Sequence, residues 1–244
     1  MSEPAFRRRI LIEPSPGCII AELEDDWHRM AVTVRHEDGV ALSVEADMKR
    51  WPWTTCQGAI EQLTQTFTGQ ALSKFNRRGE KTRNCTHLHD LAVFAAAHAL
   101  DEVQTTYDVT VTDPVDGISE ARIARDDVLA MAWTVRGSTL LAPAAIAGLT
   151  LQTLGDWISG LDTSDQEAAR ILRWSSILAF GRAMDIPEGL TGTAFPPGSC
   201  FTFQPAMAVK ARRRADVPRD FSQTGIPPLA DKSQMFRNTK ETAS

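Results

Sequence analysis

The chain has 244 residues, 43% of them hydrophobic, and its 26 Lys and Arg against 31 Asp and Glu give a net charge of −5. That length supports one large core or two small ones, and the negative charge gives no global attraction for nucleic acid. No apolar run reaches the roughly 18 residues of a membrane span, and the N-terminus MSEPAFRRRILIEP lacks the apolar stretch of a secretory signal. The expectation is a cytoplasmic protein without membrane contact. Cys18, Cys56, Cys85 and Cys200 show no C-x-x-C spacing, so in a reducing compartment they read as free thiols or ligands rather than disulfides.

Residues 1–16 read as a proline-bearing arm whose basic run Arg7-Arg8-Arg9 is solvated. Cys18 to Glu24 and Met30 to Arg35 alternate as strands around a turn at Asp25-Asp26, and Val40 to Ala46 forms a third strand after His36-Glu37-Asp38-Gly39. This predicts an antiparallel meander. Trp51-Pro52-Trp53 breaks the pattern, and Thr54 or Thr55 caps a helix running through Cys56, Ala59, Ile60, Leu63 and Phe67 to a stop at Gly69. A polar, basic loop from Ser73 to Arg83 leads into a long helix from Arg83 to Gln104, with Asn84 as N-cap. These elements define a domain over residues 17–104.

Residues 105–186 form a second region. Thr106 to Thr112, Ile118 to Ala124 and Val128 to Arg136 predict a second meander, with turns at Asp113-Pro114 and Asp126-Asp127. It is either a second β layer or an extension of the first sheet. Leu140 to Leu154 is apolar without a clear period. Ser164 to Glu167 has the S-x-x-E form of a capping box and opens a helix through Ile171, Leu172, Ile177, Leu178 and Phe180, ended by Pro187. Residues 187–244 hold seven of the thirteen prolines and the basic run Lys210 to Arg214. They read as an extended segment that either wraps over its own or a neighbouring subunit, which would allow a homodimer through the tail, or is disordered; the phenylalanines favour wrapping for its first half.

The chemistry-bearing residues gather at the start of the Arg83 to Gln104 helix, where Cys85, His87, His89 and Asp90 share the first turn. The positive helix end favours a thiolate at Cys85. His89, four residues on, is placed to share a metal with Cys85 if the helix includes both; His87 is better placed if Cys85 lies in the loop. The spacing leaves both open. Asp90 either orients His87 as a carboxylate behind it or simply favours the helix N-terminus. Trp51 and Trp53 flank the Cys56 helix and suit the walls of an aromatic pocket. No G-x-S-x-G, P-loop, dinucleotide glycine fingerprint or HExxH occurs.

The stretches PWTTCQGAIEQLTQTFTGQ and CTHLHDLA resemble a bacterial family catalogued as domain of unknown function two-eight-eight-nine, over about residues 8 to 106. The resemblance implies an antiparallel meander ahead of both motifs, and a setting near catabolic genes for aromatic or other hydrophobic compounds. The architecture is also similar to iron–sulfur scaffold proteins of the NifU and SufE type, which implies a metal site where both helix starts meet the first turn. Cys56 and Cys85 match two of its ligand positions, while the Asp25-Asp26 turn stands where the scaffold has a cysteine and Asn84 where it has a histidine.

The combined expectation is an α+β protein: a meander with two helices in NifU/SufE-like arrangement, a second meander with a long helix, and a Pro-rich tail. Zinc or iron is expected on Cys56, Cys85 and His87, with His89 and either Asp25 or Asp26 completing the shell and Asp90 behind it. Such a metal gives lyase or hydrolase chemistry on a small aromatic or hydrophobic metabolite. Cys85 thiolate with His87 or His89 as proton shuttle is the metal-free form of this reading. A non-catalytic accessory protein carrying a metal or sulfur species, or a partner-binding subunit, is the alternative.

Overall fold

The computed structural model describes residues 3–77 and 81–232, so Arg78 to Glu80 of the expected basic loop and the last twelve tail positions lie outside the described residues. The class is α+β. Eight strands, β1 (Ala5–Ser15), β2 (Cys18–Asp25), β3 (Arg29–Glu37), β4 (Val40–Arg50), β5 (Thr105–Thr112), β6 (Ile118–Arg125), β7 (Val128–Arg136) and β8 (Thr139–Ala142), follow one another in the order β4-β3-β2-β1-β5-β6-β7-β8. Contacts divide the chain into two compact units. Of the described residues, one holds 10–105 with Ile186–Arg219; the other holds 3–9, Thr106–Asp185 and 220–232.

The arm expected over residues 1–16 is a strand from Ala5 onward. Its basic run is paired rather than solvated: Arg9 forks onto Asp108 with nitrogen–oxygen distances of 2.7 and 3.0 Å, and Arg7 reaches Thr110 at 3.4 Å. The pairings 9 with 108 and 7 with 110 run in opposite senses, as antiparallel neighbours do. A run of three arginines is compatible with a strand as well as an arm, and only the facing strand decided between them.

In the unit containing residues 10–105, β2, β3 and β4 form the expected meander, with Ile19 opposite Val34 and Val34 opposite Val44. A 3-10 turn at Cys56–Gly58 precedes α1 (Ala59–Phe67), and Gly69 at φ +76° ends that segment in the left-handed backbone that glycine adopts without strain. Helix α2 runs only from Thr86 to Ala97, shorter than expected, because His98 turns back to bond Asp101 at 2.7 Å. Its N-cap is Cys85 rather than Asn84. Asn84 is fully buried and gives its side-chain amide to Thr66 of α1 at 3.1 Å. The tail residues 186–219 wrap on this same unit: Arg212 backbone N–H meets Thr54 Oγ1, and Arg213 bridges Trp53. Helix α5 (Pro205–Ala208), a Pro-initiated turn, lies in this stretch.

In the other unit β5, β6 and β7 form the second meander, joined by β8, the strand in the apolar stretch that carried no clear period. After the short α3 (Gly155–Ser159), helix α4 (Thr163–Ala179) starts at Asp162, whose carboxylate accepts the Asp165 N–H at 3.0 Å. The expected capping box therefore does not form: Glu167 instead accepts the Tyr107 hydroxyl at 2.8 Å. Trp133 gives its indole N–H to Ser176 at 3.1 Å, pinning α4 to the sheet. Helix α6 (Phe221–Thr224) is capped by Asp220.

Candidate metal centre

β2 ends at Asp25, and the β2–β3 connection is the three-residue loop Asp26-Trp27-His28. Asp25 Oδ1 accepts the backbone N–H groups of Trp27 and His28, each at 2.8 Å, which is an Asx turn continued by one residue. The same oxygen lies 3.0 Å from His28 Nδ1. Where the carboxylate is ionised it can only accept, so Nδ1 is the donor in this contact. Asp25 and His28 are both buried.

A buried arginine holds this loop from behind. Arg50, at the end of β4, donates from Nη1 to Asp26 O at 2.8 Å and Val217 O at 3.2 Å, and from Nη2 to Asp25 O at 2.6 Å, His28 O at 3.3 Å and Glu24 Oε1 at 3.1 Å. The Arg219 N–H adds a 2.8 Å bond to Asp26 O. Backbone carbonyls that a solvent-exposed turn would give to water are thus tied to one guanidinium.

The first turn of α2 brings the third member. The His87 ring lies 4.0 Å from that of His28, tilted by 30°. Asp25, His28 and His87 each offer one ligand atom, and these atoms lie within 4.8 Å of one another. Two imidazoles and a carboxylate are the donor set of many zinc sites with an open position and of non-haem iron.

The expected residues are distributed around this group. His87 belongs to it. Asp25 takes the place offered to Asp26, which is buried with its carbonyl on Arg50. Cys85 Sγ stands 3.9 Å from His87 Nδ1, beside the group. Cys56 is brought against Thr202 of the tail, Sγ to Oγ1 3.3 Å, and not into the Asp25, His28, His87 group. His89 is buried with its ring 5.0 Å from Phe67. Asp90 pairs with Lys81 at 2.7 Å and so serves that cation. Trp51 lies under the Arg214 guanidinium at 4.6 Å, and Trp53 packs edge-on against Phe195 and Phe203. Among the described residues the ligand-type side chains that converge are Asp25, His28 and His87, with Cys56 and Cys85 outside that group.

The thiols do not behave as the helix end suggests. Burial, then the neighbouring Cys56, hold Cys85 well above the usual thiol range, and burial pushes Cys56 up to about 11 against the opposing Thr202 bond. Desolvation outweighs the partial charge of the helix N-terminus here. His28 was missed because a lone histidine after a turn has no periodic signal. The Asp-x-x-His spacing across a hairpin loop was the available clue, and Arg50, 22 residues beyond His28, had none.

Among the described residues no helix is long and apolar enough to cross a membrane. No curated protein matches the chain. Residues 17–101 match the model of a family described as "Protein of unknown function (DUF2889)". That span contains Asp25, His28, His87 and the Arg50 that braces their loop, so the stretch of the chain that is similar to the DUF2889 family is the one that carries the candidate centre.

Proposed function

We propose that Asp25, His28 and His87 hold zinc or iron, and that the protein is an enzyme of lyase or hydrolase type acting on a small aromatic or hydrophobic metabolite. The observation that carries this reading is the convergence of two imidazoles and a carboxylate within 4.8 Å. A metal there would polarise a substrate carbonyl or lower the pKa of a bound water. Asp25 holds the His28 ring through Nδ1, Arg50 fixes the loop backbone, and α2 sets the His87 ring beside them. Burial of Asp25 and His28 keeps bulk water from competing for these donors.

Elemental analysis of anaerobically purified protein tests the reading. Wild type is expected to carry close to one zinc or iron per chain, lost in His28→Ala and His87→Ala and retained in Cys56→Ser and Asp90→Asn. Metal-free wild type that also takes up no zinc or iron on reconstitution would defeat it. Stoichiometric metal without turnover of any carbonyl-bearing aromatic compound would assign the site to a metal-carrying accessory protein instead.

A further inference from the structure

The basic run Lys210 to Arg214 takes no part in the centre described above, yet its arginines are unlike one another. Arg212 is exposed and gives its guanidinium to Val209 O and Ala211 O at 2.8 and 2.9 Å. Arg214 covers Trp51 and meets Asp216 at 3.4 Å. Arg213 is buried, with 6% of its surface exposed. Its backbone is held on both sides, N–H to Leu190 O and carbonyl from Gly189 N–H, each at 2.9 Å. Residue 213 bridges Trp53, and residues directly opposite in an antiparallel bridge send their side chains to the same face.

Of the five N–H donors of this guanidinium, one reaches Pro52 O at 3.1 Å. Among the described residues no carboxylate pairs with it. The ionisable neighbour that acts on it is the Cys56 thiol, which burial keeps protonated at neutral pH, so it supplies no counter-charge. The unpartnered nitrogens of Arg213 are not among the fully buried polar atoms, so an anion from solution can reach them. The guanidinium fork matches a carboxylate with two parallel hydrogen bonds. Around it, Trp53 meets Phe195 and Phe203 at ring distances of 5.2 and 5.3 Å, which makes the surroundings aromatic.

We propose that Arg213 anchors the carboxylate of a small aromatic acid, whose ring packs beside Trp53. The aromatic part rests on the function proposed above; the anionic part rests on Arg213.

The test is calorimetric titration of the full chain, in chloride-free buffer, with benzoate, its neutral isostere benzamide, and inorganic phosphate. Wild type is expected to bind benzoate, with benzamide and phosphate each at least about tenfold weaker, the factor lost when a charge-assisted pair is missing. Arg213→Met is expected to lose benzoate binding by a similar factor while its melting temperature holds or rises, because a structural arginine would lower it on removal. Arg213→Lys keeps the charge but not the fork and is expected to fall between the two. Absence of benzoate binding to wild type, equal binding of benzamide, stronger binding of phosphate, or unchanged binding by Arg213→Met would each overturn the anchor. Metal content measured on the same samples separates the two ideas, since benzoate binding by metal-free protein upholds the anchor while the metal reading fails.

Discussion

Each meander turns once on an Asp-Asp pair, and the two turns have opposite fates. Asp126 and Asp127, between β6 and β7, are exposed and both take positive φ, 50° and 66°, as a primed hairpin turn requires. Asp25 and Asp26, between β2 and β3, are buried; Asp25 takes two backbone amides and an imidazole, and Asp26 gives its carbonyl to Arg50. The same dipeptide is a solvent-facing hairpin tip in one unit and the base of a candidate metal centre in the other. The difference lies in two residues outside the pair, His28 and Arg50, and it teaches that an acidic turn folds inward when a buried cation satisfies its carbonyls and leaves the carboxylate to hold a neighbouring imidazole.

Removing that cation is expected to have the largest effect. Arg50→Met should destabilise by about 3–5 kcal/mol in urea unfolding, because four carbonyls and Glu24 lose their donor in a buried setting. Arg182 of the other unit also forks onto carboxylates, Asp113 and Asp220, but these are partly exposed. Arg182→Met should therefore cost only about 1 kcal/mol. Equal costs would mean that Arg50 is an ordinary surface pair.

Alkaline unfolding should separate the units next. Cys56 has its pKa raised by burial from 9.0 to about 11, so the folded state holds the proton more tightly than the unfolded chain. A raised value contributes stability that is complete below pH 9 and is lost as pH climbs through 11. The loss is at most about 2–3 kcal/mol, from a shift of about two pH units. In the other unit Tyr107 is also pushed up, by burial and by Glu167, from 10.0, so its loss starts later. Stability measured from pH 8 to 11 should fall less steeply in Cys56→Ala; an unchanged slope would remove Cys56 as its source.

A glycine in place of one aspartate should act with opposite signs in the two turns. Asp25→Gly leaves two buried amides without their acceptor and should cost about 1–3 kcal/mol. Asp127→Gly relieves a positive φ and should stabilise by about 0.5–1 kcal/mol. Thermal unfolding of both variants measures this, and a destabilised Asp127→Gly would show that its side chain does more than tolerate the turn.

Both meanders, α1, the start of α2 and the body of α4 were legible in the sequence, because they depend on local period and punctuation. β2 and β3 alternate, Gly69 stops the α1 segment, and Val128–Arg136 has the bounds its pattern predicts. The position of His87 was legible for the same reason, since helix spacing places it in a first turn with other ligand-type residues. Its partners were not. Arg50 and Val217 meet across 167 residues of chain, Asn84 was drawn from its cap by Thr66 of another helix, and Glu167 from its capping box by Tyr107. Local rules named what each side chain does when only its neighbours compete for it. Tertiary structure decided wherever a distant partner offered a buried hydrogen bond, because an unpaired buried polar group costs more than a surface cap returns.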